Sequence, residues 1–269
     1  MFDPNDFKAP DAADERILGV RFAINGRYEG PFHAHRKAQL FHATEGVITV
    51  ETPDGLWVTP PYRAVWVPTE VEHTVRGSGI REIFCLYLEP DVSRTMPTTC
   101  CVLAVSPMLR EMILRFVARD EEQLPAMDPV RRSRLAQVIV DELEVSPREA
   151  MVLPMPRERR TRKVAEAMLS EPEIRRGLAE WGDIVGASTR TLARHFLKET
   201  GVSFGSWRQQ LDLALAVQML GEGEAVQAVA RRLGYEAPSS FIAMFRKAMG
   251  CTPARYLQAV RGVGSKEEA

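Results

Sequence analysis

The sequence predicts two domains, an N-terminal antiparallel β-barrel with packed helices and a C-terminal all-α domain that begins near residue 157. The chain has 269 residues, 45% hydrophobic and 26% charged, which is the balance of a soluble globular protein long enough for two cores. Short apolar segments separated by proline and glycine fill the first 105 residues, whereas helical spacing dominates after residue 157. Residues 157–269 carry a net charge of +5 and the remainder −6, so the second half suits a polyanionic partner.

Several protein classes are excluded by composition. The apolar and charged fractions exclude an intrinsically disordered or collagen-like chain. No apolar run approaches the roughly 20 residues of a membrane helix, and the N-terminus is polar and acidic. Four cysteines, two of them adjacent, suit neither a disulfide framework nor a metal-binding CxxC pair. We therefore expect a cytoplasmic protein with reduced thiols and no membrane partner.

Residues 1–105 are predicted to form the barrel. The predicted strands are Arg16–Ile24, Val47–Thr52, Leu56–Val58, Ala64–Val67, His73–Val75 and Ile83–Leu88. Pro53, Asp54 and Gly55 form a turn signal, because proline fixes φ, aspartate caps the turn and glycine accepts a positive φ. Short strands punctuated by turns indicate an antiparallel sandwich or barrel.

Residues 106–150 change to helical spacing. Ser106 precedes Pro107, a capping residue followed by proline at the first helical position, and a second helix is predicted over Pro129–Leu143. Two amphipathic helices need a surface against which to bury their apolar faces. Packing on the barrel itself and a homodimer interface are both open interpretations.

Residues 151–156 are predicted to be a linker, because alternating prolines disfavour both helix and sheet. The following segment to residue 261 is entirely helical by pattern, and residues 262–269 form a tail. The predicted helices are 158–170, 178–186, 189–200, 204–220, 225–233, 238–249 and 253–261. Glycines fall at or near the breaks, where helix C-caps and turns favour them.

Residues 178–200 have the pattern of a helix-turn-helix motif. Gly182 allows close approach of the second helix, and Gly186 permits a tight turn. Ser188 can cap the next helix, and Leu192 and Phe196 face the shared core. A helix that exposes arginine in this arrangement can enter a major groove and contact guanine.

The same pattern recurs 48 residues later, over residues 225–249. Ala230 takes the close-approach position and Gly234 the turn. This turn is one residue longer, since Phe241 lies seven residues after its glycine and Leu192 only six after Gly186. One such motif also fits an ordinary helical hairpin, but two in tandem within the basic half indicate binding to double-stranded DNA.

Residues 158–260 resemble the C-terminal domain of AraC/XylS-type transcriptional regulators. The matching stretches are 189–201, TRTLARHFLKETG, and 225–256, whose second half includes GYEAPSSFIAMFRKAMGCTPARY. The resemblance implies two helix-turn-helix motifs joined by a long helix, here 204–220, with two recognition helices in successive major grooves. It also implies that an effector bound in the N-terminal half alters how the DNA-binding half is presented.

The candidate DNA contacts lie on the two recognition helices. In the first helix the pattern exposes Thr189, Arg190, Ala193, Arg194 and Lys198, and the resemblance makes Arg190, Ala193 and Arg194 base-facing. In the second, the resemblance makes Pro238, Ser239, Ile242 and Ala243 base-facing, while Arg246 and Lys247 hold phosphate. Ile242 and Ala243 offer no hydrogen bond, so that helix can detect only thymine methyl groups or shape there. We expect the first motif to carry most of the sequence discrimination.

The N-terminal half resembles the two cupin motifs over about 75 residues. The matching residues are Pro31 to Gln39, then Gly46, and finally Pro68 to His73. The resemblance makes His33, His35, Gln39 and His73 the candidate effector or metal ligands, and three imidazoles can hold a divalent transition metal. The chain departs from the family because Gln39 replaces a carboxylate and Glu70 replaces a glycine. His42 is out of phase with these residues and is expected to face outward.

Three interpretations of this cluster remain open at this point. It is a metal-free barrel whose histidines bind each other or a ligand, a metal centre that helps to recognise the effector, or a catalytic cupin. No cofactor is certain. The missing carboxylate and the fused DNA-binding domain both argue against catalysis.

The sequence therefore predicts a sequence-specific transcription regulator, not an enzyme. Its expected partners are double-stranded DNA, a small-molecule effector and a second copy of itself, with RNA polymerase as a further candidate. A cupin metalloenzyme with an accessory helical domain is the main alternative. A helical protein–protein adaptor is the third, and salt-dependent protection of duplex DNA would exclude it.

Overall fold

The computed structural model describes residues 9–59, 63–118, 127–149 and 152–261, which divide into two compact units. The β unit comprises Met1–Thr52 and Thr59–Met151. The helical unit comprises Val152–Ala269 together with a short segment from the first half of the chain, Pro53–Val58. None of the helices in the described segments is long and apolar enough to cross a membrane.

In its described segments, the β unit contains most of the strands and three helices. Its elements are α1 (Ala9–Ala12), β1 (Ile17–Glu29), β2 (Ala38–His42), β3 (Val47–Thr52), β5 (Arg63–Val67), β6 (Thr74–Leu88), β7 (Cys101–Ala104), α2 (Pro107–Val117), α3 (Pro129–Val145) and β8 (Arg148–Glu149). Strand β4 (Gly55–Thr59) begins in the helical unit and ends in the β unit.

Strand β6 organises the sheet. It pairs antiparallel with β1 along one edge and with β3 and then β2 along the other. The sheet continues from β2 to β5, β7 and β8, also antiparallel. The two segments predicted as separate strands, His73–Val75 and Ile83–Leu88, are joined in β6 because Gly79 takes a φ of 64° inside the strand instead of ending it.

Alternation along β2 divides the β unit into two faces. Leu40 and the neighbouring Ala38 belong to the core beneath the helices, together with Trp66 of β5. Gln39 and Phe41 point to the opposite face, where their cross-strand partners on β6 are Tyr87 and Cys85. That opposite face carries the histidine cluster described below.

Helices α2 and α3 pack on their own sheet. Ser106 caps α2 by accepting a hydrogen bond from the Leu109 backbone N–H, and Asp128 caps α3 in the same way. The buried stripes of the two helices contribute Leu109, Ile113, Phe116, Val117, Ala136, Ile139, Val140 and Leu143 to the core. Packing on the sheet therefore accounts for these stripes, and the opposite face of α3 still exposes three valines.

The helical unit follows the predicted segments closely. Its helices are α4 (Arg159–Ser170), α5 (Leu178–Val185), α6 (Thr189–Thr200), α7 (Phe204–Gly221), α8 (Val226–Arg232), α9 (Pro238–Met249) and α10 (Pro253–Arg261). Gly201 and Gly250 end α6 and α9 with φ of 74° and 71°, as expected for glycine C-caps. The tail predicted at 262–269 lies outside the described residues.

The segment predicted as a linker, 151–156, instead contains strand β9 (Val152–Pro154), which pairs antiparallel with β4. Alternate prolines do not prevent this pairing, because residues two apart present their N–H positions to the same side of a strand. The backbone N–H of Met155 donates to the Asp54 carbonyl at 3.0 Å, while Pro154 and Pro156 place their missing donors on the other side. The start of the DNA-binding domain at residue 157 remains a prediction.

Candidate functional site

The first helix-turn-helix motif, α5 and α6, is held by its turn. Gly186 has a φ of 66°, and the Ala187 N–H donates to the Gly182 carbonyl at 2.9 Å. A Cβ at position 182 would lie 2.4 Å from the Ala187 carbonyl oxygen, so only glycine fits. Ser188 accepts a hydrogen bond from the Thr191 N–H at 3.1 Å and thereby starts α6.

The second motif, α8 and α9, repeats this turn. The Tyr235 N–H donates to the Ala230 carbonyl at 2.9 Å, and Gly234 has a φ of 71°. These residues follow their counterparts in the first turn by 48 positions, whereas the C-cap glycines at 201 and 250 are 49 apart. The extra residue therefore lies between the turn and the core of α9, where the sequence places it.

The candidate DNA contacts of the first motif lie on the exposed face of α6. Leu192 and Phe196 are fully buried in the shared core, which turns the other side of the helix outward. The exposed or half-buried positions are Thr189, Arg190, Ala193, Arg194 and Lys198. Within the described segments, no ion pair engages Arg190, Arg194 or Lys198, so these cations can contact a nucleic acid.

The second recognition helix offers a different surface. Pro238 occupies the first turn of α9, and Phe241 and Phe245 are buried. The exposed or half-buried positions are Pro238, Ser239, Ile242, Ala243, Arg246 and Lys247. Apolar groups occupy the middle of that face and cations its end, so Ser239 is the one of the four predicted base-facing positions that carries a hydrogen-bonding side chain.

Arg208 is buried, although the sequence predicts a surface position for it. From the sequence, Arg208 of α7 is equally plausible as a phosphate contact and as an ordinary surface charge. In the structure, only 8% of this residue is exposed. Its Nε donates to Asp212 at 3.1 Å, and its guanidinium also donates to the Ile174 carbonyl at 3.2 Å. These internal partners exclude a phosphate contact. The Asp212 partner lies four residues later on the same helix, whereas nothing in the sequence indicates the pairing with the distant Ile174 carbonyl.

The β unit gathers the three predicted histidines. His33 and His73 form an isolated antiparallel bridge, and their ring centroids are 4.4 Å apart. The His35 ring lies 5.2 Å from that of His73, and one ring nitrogen from each histidine lies within 4.8 Å of the others. His33 and His35 lie outside the regular strands of the described residues, and the next two N–H groups, of Arg36 and Lys37, donate to the Asp11 carboxylate.

Backbone carbonyls fix which nitrogen of each ring carries the proton. Each Nδ1 lies within hydrogen-bonding distance of a carbonyl, at 3.0 Å for His33, 2.6 Å for His35 and 2.8 Å for His73. A carbonyl only accepts, so Nδ1 donates and Nε2 of a neutral ring keeps its lone pair. Burial lowers the pKa of His73 to about 3 and also lowers that of His33, which keeps both rings neutral near pH 7.

Gln39 completes the cluster. Its Oε1 lies 2.8 Å from Nε2 of His35 and 3.2 Å from Nε2 of His73, while its side chain also hydrogen-bonds the buried Cys85 thiol. With Nδ1 protonated, the Nε2 lone pairs of His35 and His73 face this oxygen, and the ring of His33 lies beside them. Such a set is stabilised by a cation or by donor groups of a ligand.

His42 lies on the other face of β2, away from the cluster. Its Nδ1 donates to the Arg63 carbonyl at 2.9 Å, and the residue is fully buried beneath the helices. The prediction that His42 faces outward is correct in that the ring points away from the cluster. It is not exposed to solvent, because α2 covers this face of the sheet.

The chain is similar to several known proteins. Residues 181–259 match the family described as a helix-turn-helix domain. The chain is 43% identical over 251 residues to the HTH-type transcriptional regulator NimR of Escherichia coli K12, covering 92% of this chain and 90% of that protein. It is 34% identical over 163 residues to the HTH-type transcriptional regulator RipA of Corynebacterium glutamicum, covering 54% and 49%. Among solved structures, ToxT of Vibrio cholerae O395 has a TM-score of 0.40 at 10% identity, covering 92% of this chain and 99% of that one.

Proposed function

Because the chain belongs to the AraC-type family of HTH transcriptional regulators, we propose that it binds a specific DNA site under the control of a small molecule bound in its β unit. The relatives are named as transcriptional regulators, which sets the metalloenzyme alternative aside. The observation that carries the proposal is the repeated turn, which presents two recognition helices from one helical unit. RNA polymerase is a further candidate partner once the protein is on DNA.

The two recognition helices expose different side chains, and this difference supports sequence-specific binding. Arg190 and Arg194 are exposed on α6 and each can form a bidentate contact with guanine. Arg246 and Lys247 are exposed at the end of α9, where cations suit phosphate. We propose that α6 selects the sequence and that α9 mainly adds affinity.

Selection of bound duplexes from a random pool tests this proposal directly. We expect an enriched site with two boxes about one helical turn apart, with guanine more strongly specified in one box. The affinity for that site should fall linearly with salt on logarithmic axes, by a slope of about −0.9 for each phosphate contact. A pool without enrichment, or a flat salt response, would contradict DNA binding by these helices.

We propose that the histidine cluster is the effector site of the β unit. The donor set fits a divalent transition metal, which His33, His35, His73 and Gln39 would hold and which would act as a Lewis acid toward an effector oxygen. Without a metal, the same lone pairs accept hydrogen bonds from donor groups of the effector. In either state, effector and DNA affinities are coupled reciprocally.

Replacing Gln39 by Glu separates these two states. The nearly isosteric carboxylate supplies the stronger metal ligand, so we expect tighter Zn²⁺ or Mn²⁺ binding by calorimetry, while His73→Gln should remove binding. The matched control is His195→Gln, which lies in the helical unit. If neither the His195→Gln control, whose cluster is intact, nor Gln39→Glu binds the added ion more tightly than His73→Gln does, the cluster is a metal-free ligand site.

We also propose that α3 forms a homodimer interface. Its buried stripe faces the sheet, but Val130, Val138 and Val145 are exposed on the opposite side, Val138 to 44%. In an antiparallel pair of α3 helices centred on Val138, Arg134 of one copy faces Glu142 of the other, and the contact occurs twice by symmetry. This face is therefore complementary to itself in both apolar surface and charge.

A further inference from the structure

A buried carboxylate lies on the helix that joins the two helix-turn-helix motifs. Asp212 of α7 is 1% exposed. Its Oδ2 accepts a hydrogen bond from the Arg175 guanidinium at 2.7 Å and from the Tyr235 hydroxyl at 2.8 Å. Its Oδ1 accepts from Nε of Arg208 at 3.1 Å, so both oxygens are engaged by donors.

The donors come from different parts of the helical unit. Arg175 lies between α4 and α5, just before the first motif, whereas Tyr235 lies in the turn of the second. Arg175 also donates from Nε to the Leu233 carbonyl at 2.9 Å, and its guanidinium lies 4.0 Å from the centroid of the Tyr235 ring. The entrance to the first motif is thus joined to the turn of the second through Asp212.

Backbone packing reinforces the same junction. The Arg208 guanidinium donates to the carbonyls of Pro172 and Ile174. A Cβ at Gly234 would lie 2.4 Å from the Glu173 carbonyl oxygen, so the two segments are in close backbone contact. A shift between the motifs would leave Asp212 or a guanidinium buried without its partner, which is strongly unfavourable.

We propose that Asp212 is a positioning residue that fixes the separation of the two recognition helices and so restricts the protein to one spacing between the two boxes of its DNA site. Two helices can occupy successive major grooves only if their separation matches the helical repeat of DNA. A rigid junction makes both contacts available together, and a loose one lets either motif bind alone. This inference rests on the proposed DNA binding by both motifs.

The test compares affinity for the selected duplex with affinity for the same duplex carrying one inserted or deleted base pair between the boxes. The measured quantity is the ratio of the two affinities for each variant. Asp212→Asn should lower this ratio by about tenfold, the scale of a hydrogen bond to a charged group, and Tyr235→Phe should lower it by less. Glu222→Gln makes the same chemical change at an exposed position of the same region and should leave the ratio unchanged.

A purely structural role for Asp212 lowers affinity for all spacings equally and leaves the ratio intact. That result in folded Asp212→Asn, or in Tyr235→Phe if the first variant does not fold, would overturn the inference. Wild-type protein that binds both spacings equally well would also overturn it, while leaving DNA binding itself established. Wild-type protein that binds no selected duplex would instead contradict the proposed function on which the inference rests.

Discussion

At the scale of single residues, His42 makes the stability of the β unit depend on pH. Burial lowers its pKa to about 4, with a smaller contribution from the charge of Arg110. The unfolded chain takes up a proton near the ordinary value of 6.5, so the contribution is complete above that pH and is lost as the pH falls toward 4. At pH 5 the loss amounts to about 2 kcal/mol for this one side chain.

Urea unfolding at pH 7.5 and pH 5 measures this effect. His42→Asn cannot take up the proton, so its loss of stability between the two values should be smaller than that of the wild-type protein by about 2 kcal/mol. The quantity to compare is the difference in pH dependence between the two proteins, because His73 and His33 take up protons in both and their contributions cancel. Equal pH dependence of the two proteins would show that His42 is protonated without cost in the folded state.

Residues that act through local chemistry are the ones the sequence predicts well. Gly182, Gly186 and Ser188 have their expected roles because a turn needs a positive φ, a close approach and a cap, all set by neighbours in the chain. Arg208 and Lys37 are buried and donate to backbone carbonyls far along the chain, which no local pattern reveals. The histidines converge as the resemblance implies, but their proton positions depend on backbone carbonyls that only the fold supplies.

At the scale of elements, reversing a charge on α3 tests the proposed dimer. Arg134→Glu places like charges opposite each other twice in the antiparallel pair, so we expect dissociation to monomers at concentrations where the wild-type protein is dimeric. Adding Glu142→Arg to that variant restores opposite charges and should restore the dimer. Sedimentation equilibrium measures both, and Arg131→Glu serves as a control because its proposed partner position is the apolar Val145.

Restoration by the double variant is the informative result. A double variant that remains monomeric, with an unchanged circular dichroism spectrum, would exclude this pairing of α3 helices. A wild-type protein that is monomeric at all concentrations would exclude a dimer through any surface.

Helices were predicted more accurately than strands, and the reason is physical. Each helix satisfies its backbone hydrogen bonds within itself, so α4 to α10 begin and end near their sequence signals. A strand such as β7 or β9 exists only through its partner, and four residues at Cys101–Ala104 or three at Val152–Pro154 carry little pattern of their own. Pairing with β4 turned a predicted linker into part of a sheet.

At the scale of the whole molecule, the chain enters the helical unit twice. Leu56, from the turn region at Pro53–Val58, is buried with Leu153, Val164 and Trp207 in the core of that unit. Nε1 of Trp207 donates to the Pro154 carbonyl at 2.6 Å, and the Arg162 guanidinium donates to the Pro53 carbonyl at 3.1 Å. The stability of the helical unit therefore depends on a segment that precedes the residues it contacts by about 100 positions.

Leu56→Ala measures this dependence. Removing a buried leucine side chain should lower the free energy of unfolding of the helical unit by about 2–4 kcal/mol. Leu197→Ala, at an exposed position of α6, is the matched control and should change it by less than about 0.5 kcal/mol. Equal effects of the two substitutions would show that the upstream segment adds nothing to this core.

The central claim, that α6 selects the DNA sequence, is tested most directly by affinities for all single-base variants of the selected site. Arg194→Ala should cost about 1–3 kcal/mol on the preferred site and relax preference at one or two positions. Lys247→Ala should weaken binding to every variant about equally, because a phosphate carries no base identity. Ala243→Ser should leave the preferences unchanged. Sequence selection by α6 is contradicted if Arg194→Ala weakens binding to all variants equally while Ala243→Ser changes which bases are preferred.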